Sequence, residues 1–256
     1  MKKIIYLTSL LFTLTMHFSV HALSTKLNIV TEHLAPFQIV DDDMINGISS
    51  EIIKATLDAS PYPYNLSAHP WTESYSQAKK EKNTCIYSLV RMPNREKLFQ
   101  WAGPITKTNI SFYSLSKNKI IINDLADARK YKTAVVKDDA THHFLLSKGF
   151  EENTHFYAMN NYDGLLKLLD IPSRDIDLVI INDDLLSYRL NHSKDILKYK
   201  KVHSIEDFSF DFYLACSLNT KMNIVNNLSD TMKKLEQNGT FLKIRNKWKG
   251  KLIYIP

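Results

Sequence analysis

Two arginines, Arg91 and Arg95, stand just beyond a short apolar run at 85–90, in the segment Ser88-Leu89-Val90-Arg91-Met92-Pro93-Asn94-Arg95-Glu96. A guanidinium is planar and always charged, and it can hold a carboxylate through two parallel N–H···O bonds. A strand that ends in such residues delivers them to the edge of an α/β sheet, where ligands bind. The implied chemistry is capture of a small acid. Either guanidinium could hold the acid, and Arg91 either meets a second anionic group or braces the loop. Ser88 opens this segment, and Glu32 follows the strand-like run 27–31. Phe37 and Trp71 each follow a proline after a strand-like run, which suits a cleft wall more than a core. Trp101 and Trp248 read as packing residues.

Other chemistries find little support. His142 and His143 are adjacent, so on a helix they point about 100° apart and cannot share a metal. Asp41-Asp42-Asp43 lacks the further ligands of a calcium loop. No Gly-rich phosphate loop, Gly-x-Ser-x-Gly elbow or His-Glu-x-x-His helix occurs. No metal and no cofactor are expected. Lys2 and Lys3, the apolar stretch 4–16 and Val20-His21-Ala22 form a secretory leader, with cleavage expected after Ala22. The apolar stretch falls short of the ~20 residues of a membrane span. A mature, soluble, periplasmic chain is expected. Its formal charge drops from +6 to +4, since the leader carries two lysines and no acid. That surplus is scattered instead of being clustered with aromatics, which argues against nucleic-acid binding. Cys85 and Cys216 lie outside any metal spacing; one disulfide or two buried thiols are both open.

Positioning these side chains takes an alternating frame. Apolar strand-like runs at 27–31, 64–68 and 85–90 alternate with helical periodicity from Ile48, stopped by Pro61 and Pro63, and over 72–82. After the Ser/Lys/Asn-rich stretch 114–119 the pattern restarts. Strands are expected at 133–136, 153–158 and 177–181, with helices at 141–147, 162–169 and 183–190. A strand at 212–217 and helices at 223–237 and 240–248 close the chain. Strand–helix alternation gives a parallel sheet covered by helices, and its repetition predicts two α/β lobes with a ligand cleft between them.

In order and spacing, these residues resemble the extracellular solute-binding proteins of family 3, the periplasmic amino-acid-binding type. The resemblance rests on Ala35-Pro36-Phe37, Gly47-Ile48, Pro70-Trp71, Ser88 with 91–96, and Phe99-Gln100-Trp101-Ala102-Gly103-Pro104-Ile105. Lys137-Asp138-Asp139-Ala140, Asp177-Leu178-Val179-Ile180-Ile181-Asn182, and 235–239 followed by 244–248 complete it. It implies a type II periplasmic-binding-protein fold, each lobe a mostly parallel sheet flanked by helices. Lobe I would comprise 23–113 plus 210–256 and lobe II 114–209, with hinge crossovers near 112–118 and 206–212. It further implies a monomer that closes around a small polar, carboxylate-bearing ligand and delivers it to an ABC transporter permease. Arg95 would grip the ligand's α-carboxylate, helped by Ser88 and by the helix opening at Asp139, Ala140 and Thr141.

Three departures stand out: Met92 for the usual Thr, Leu34 for a stacking aromatic, and Asn182 for an Asp that pairs with the α-ammonium. Asp183 or Glu32 are candidates to compensate. Two other readings share the fold: a periplasmic dehydratase or lyase recruiting Glu32, His33, Asp139 or His142, and a ligand-sensing partner of a membrane receptor.

Overall fold

The computed structural model describes residues 25–251 except 43, 161, 163, 192–195 and 207; the expected leader lies outside them. In chain order the strands and helices are β1 (Leu27–Thr31), β2 (Ile39–Asp41), β3 (Met44–Asn46), α1 (Ile48–Asp58), β4 (Tyr64–Ala68), α2 (Trp71–Lys80) and β5 (Thr84–Val90). Next come β6 (Phe99–Thr106), β7 (Ile110–Leu115), β8 (Thr133–Val136), α3 (Ala140–Ser147), β9 (Phe156–Met159), α4 (Leu165–Leu168), β10 (Leu178–Asn182) and α5 (Asp183–Leu190). The chain closes with β11 (Tyr199–Ser204), β12 (Phe212–Ser217), α6 (Met222–Gln237) and α7 (Thr240–Lys249).

Two five-stranded sheets result, in the orders β4-β1-β5-β12-β6 and β9-β8-β10-β7-β11. They have the same plan. In the first sheet β4, β1 and β5 run parallel and β12 runs antiparallel to both its neighbours. In the second, β9, β8 and β10 run parallel and β7 is the reversed strand. Both sheets are therefore mixed, with four of the five strands sharing a direction. Each reversed strand is the one the chain enters on arriving from the other sheet.

Burial explains the strands. β5 and β10 are buried at every position, as a central parallel strand covered on both faces requires. The helices cover those faces through apolar stripes, as in α6, where Ile224, Val225, Leu228 and Met232 are buried. The start of α1 is fixed by close backbone approach. Gly47 has φ 112°, and a Cβ there would sit 2.5 Å from the Phe37 carbonyl oxygen. The Ile48 and Ser49 amides donate to the Pro36 and Phe37 carbonyls at 3.0 Å each, capping the helix from the preceding loop.

Several expectations are corrected. Residues 110–113 were expected in the first lobe, yet β7 pairs with β10 and β11 in the second sheet. The first passage between sheets is thus 107–109 and the second 205–211, so the expected crossover near 112–118 falls largely within a strand. A fully buried run carries no record of which strand it pairs with. Of the helix expected at 162–169, α4 covers Leu165–Leu168, with Gly164, a poor helix former, before it; residue 163 lies outside the described residues. β11 had no sequence signal: Tyr-Lys-Lys-Val-His-Ser is a polar edge strand, of the kind lysines protect from further pairing. Cys85 and Cys216 form a disulfide that joins β5 to β12 at directly paired positions.

Candidate functional site

The carboxyl ends of matching strands converge on one cleft between the sheets. From the first sheet come Glu32 and Leu34 after β1, Trp71 after β4, and Ser88, Val90 and Arg95 at or beyond the end of β5. From the second come Asp139, Ala140 and Thr141 after β8, Tyr162 after β9, and Asn182 at the end of β10. Ile110, Ile181 and Phe212 supply apolar wall. The cleft is nearly shut. Its cavity is about 30 Å³, room for a few waters, so an organic ligand must part the two walls.

Arg95 is 1 % exposed, yet among the described residues no carboxylate hydrogen-bonds it. Its Nη1 donates to the Val90 carbonyl at 3.2 Å and its Nη2 to the Asp138 carbonyl at 3.1 Å, while Nε is buried without a partner. The guanidinium lies 5.4 Å from the ring centres of both Trp71 and Tyr75, within cation–π range. Burial lowers its pKa, opposed by the nearby Tyr75 and Asp139 groups. Trp71 Nε1 donates to the same Asp138 carbonyl at 3.0 Å, so two first-sheet side chains meet one second-sheet backbone atom.

Ser88 is turned into the cleft by local distortion. Tyr213 pairs with Leu89 and Ala215 with Ile86, so two β5 residues, Tyr87 and Ser88, oppose Leu214. This is a β-bulge, a device that re-aims side chains. Ser88 has φ 58°, a strained setting for a residue with a Cβ. Its Oγ is buried without a hydrogen-bond partner.

Across the cleft the polar oxygens are already engaged. Asp139 caps α3: its Oδ1 accepts from the His142 amide at 2.8 Å and from Thr141 Oγ1 at 2.7 Å. Its Oδ2 accepts from the Tyr162 hydroxyl at 2.6 Å. Burial and the Asp139 charge hold the Tyr162 phenol protonated well beyond its ordinary range. Asn182 caps α5, its Oδ1 accepting from the Asp184 and Leu185 amides at 2.9 and 3.3 Å. Asn182 Nδ2 is left buried and unpartnered. The amides of Ala140 and Thr141 open α3 and, at the first helical positions, have no intrahelical acceptor. Among the described residues, Glu32 is the acidic side chain left to the cavity. Burial first, and Asp139 second, push its carboxyl up to about 8, with Arg95 pulling the other way.

Eight of the ten residues expected at the site therefore line this cleft: Glu32, Trp71, Ser88, Arg95, Asp139, Ala140, Thr141 and Asn182. Arg91 and Phe37 do not. The Arg91 guanidinium is ion-paired with exposed Glu96, Nε to Oε2 at 2.8 Å, and stacks near Trp101 and Tyr213 on the surface. Phe37 is fully buried, held by the carbonyl contacts at α1 and packed edge-on against Phe212 at 4.9 Å. It backs the wall instead of forming it. Asp183 cannot compensate for Asn182, because it is engaged by the Tyr113 hydroxyl at 2.9 Å and Lys201 Nζ at 2.6 Å. His33 and His142 each accept a backbone N–H through Nδ1, from Val40 and Asp138. Tyr162 was missed; only its place after a short strand could have marked it. Among the described residues, no group of three or more His, Cys, Asp or Glu is placed to hold a metal, and no helix is long and apolar enough to cross a membrane.

The family model of the bacterial extracellular solute-binding proteins, family 3, matches residues 27–251. Solved structures share the fold. A histidine kinase sensor domain with similarity to periplasmic binding proteins aligns at TM-score 0.77 and 16 % identity, covering 88 % of this chain and 96 % of its own. The arginine-, lysine-, histidine-binding protein ArtJ of Geobacillus stearothermophilus aligns at 0.76 and 15 %, covering 90 % and 97 %. A structure from work on glutathione import through GshT and a cystine importer in Streptococcus mutans aligns at 0.74 and 17 %, covering 91 % and 98 %. No curated protein matches the chain in sequence.

Proposed function

Because the chain belongs to the bacterial extracellular solute-binding proteins, family 3, we propose that it captures a small polar molecule bearing a carboxylate, closes on it, and presents it to an ABC importer from the periplasm. The observation that carries this is Arg95. A buried guanidinium whose hydrogen bonds go to two backbone carbonyls, and whose Nε has no partner, is a cation with donors free for an anion. Ser88 Oγ, Asn182 Nδ2 and the Ala140 and Thr141 amides add donors around it, and the N-termini of α3 and α5 add positive potential. In this reading the first sheet with α1, α2, α6 and α7 is one lobe, the second sheet with α3–α5 the other, and 107–109 with 205–211 form the hinge. Asp138, met by Trp71 and Arg95, would be the latch.

The protein is read as a binder and not an enzyme. Of the four residues open to acid–base work, His33, Asp139 and His142 are occupied by structural hydrogen bonds, which leaves Glu32. Delivery to a receptor instead of a permease is a second reading, favoured by the likeness to a histidine kinase sensor domain.

A thermal-shift screen of unfolded and refolded protein tests the ligand class. Small carboxylates should raise Tm and their methyl esters or amides should not. Stabilisation by neutral esters, or conversion of the added compound detected by mass spectrometry, would overturn the reading.

A further inference from the structure

Asn182 decides which second group a ligand can carry. Its amide orientation is fixed, because Oδ1 takes two backbone N–H donors at the start of α5, and a flipped amide would set NH₂ against both. Nδ2 is therefore a buried donor without a partner, on a side chain that lines the cavity. On the same wall of the cavity, Thr141 and Tyr162 give their hydroxyl protons to Asp139, which leaves their oxygens as neutral acceptors. The cleft thus asks for a group that both accepts and donates.

Resting on the carboxylate reading above, we propose that the ligand is a small hydroxy acid. Its carboxylate meets Arg95, and its hydroxyl accepts from Asn182 Nδ2 while donating to the Tyr162 or Thr141 oxygen. An α-ammonium at that place would face the Asn182 N–H and leave it unpaired. An oxo group would satisfy Asn182 but leave the neutral oxygens without a donor. Buried donors left unpaired discriminate strongly.

The experiment is calorimetric titration with matched acids, lactate, pyruvate and alanine in one series and malate, oxaloacetate and aspartate in another. The hydroxy acid of at least one series should bind tenfold or more tighter than its amino counterpart, with the oxo acid between. In Asn182→Asp, one carboxylate oxygen keeps the cap, since Asp and Asn are comparable at that position. The other replaces the donor with an anionic acceptor. That variant should reverse the order, favouring the amino acid by tenfold or more. Amino acids binding tightest to the wild type, or an order unchanged in Asn182→Asp, would overturn the proposal while leaving the carboxylate reading intact. Carboxylates of all three kinds failing to bind would overturn both.

Discussion

Ser88 and Asn182 sit in matching places, each at or near the carboxyl end of the third parallel strand of its sheet, and they are held in opposite ways. Ser88 is bent out of regular strand geometry, and its hydroxyl has no partner. Asn182 keeps extended backbone at φ −65°, ψ 133°, and its oxygen caps a helix. The contrast extends to their neighbours. On the first-sheet side Arg95 and Ser88 keep unpaired donors buried, within a sheet whose central strands are tied by Cys85–Cys216. On the second-sheet side Asp139 and Asn182 secure α3 and α5, and the ligand meets what capping leaves over. One wall has its ligand groups set apart from its scaffold; in the other the same side chains serve both. Changes in the first wall should therefore separate affinity from stability, and changes in the second should couple them.

The sharpest test of that separation is Arg95→Met. Removing the clamp should weaken binding by at least ~30-fold, since losing one partner of a buried ion pair costs about 2–5 kcal/mol. The ligand-free protein should gain about 1–4 kcal/mol, because an apolar side chain of similar length replaces a buried unpaired charge. Denaturant unfolding beside titration reads both. Breaking the disulfide by replacing Cys85 and Cys216 with Ala should do the reverse, lowering stability by about 2–5 kcal/mol while affinity changes less than about threefold.

Asp139→Ala should show the coupling expected of the second wall. It removes the α3 cap and strands the Tyr162 hydroxyl, costing about 1–3 kcal/mol of stability, and affinity should fall with it. If affinity were untouched, the contrast between the walls would be wrong. Glu32 predicts a pH effect of smaller extent. Its folded pKa of about 8 lies above the ordinary 4.5, so the native state holds a proton that the unfolded chain releases. The stabilisation is complete below about pH 4.5 and is lost as pH rises through 8. Glu32→Gln should flatten that slope in ligand-free melts. The smallest effect is Ser88→Gly, which should raise stability by up to about 1 kcal/mol by relieving positive φ while weakening binding several-fold.

Much of this was readable in residue order. The apolar runs of β1, β4, β5, β8 and β10 and the stops at Pro61, Gly149 and Gly239 mark the elements because burial and backbone breakers act locally. The strand ends then point to Glu32, Trp71, Arg95, Asp139 and Asn182. What the order of residues could not carry is long-range. The pairing of β7 with the second sheet, the Cys85–Cys216 link and the reach of Tyr162 to Asp139 are contacts between distant segments. The fate of Arg91 turned on its neighbour Glu96, which captures it at the surface before any ligand could. Phe37 was claimed by the core through Gly47, whose missing Cβ lets α1 approach the loop so closely. Asn182 was flagged as a lost ammonium partner; only its hydrogen bonds reveal that it became a donor.

The central claim is that an anion neutralises Arg95. Native mass spectrometry of wild type and Arg95→Met, both purified without unfolding and then exposed to the best carboxylate from the thermal-shift screen, tests it most directly. A one-to-one complex is expected with the wild type and none with the variant under the same conditions. Equal occupancy of the two proteins would contradict it.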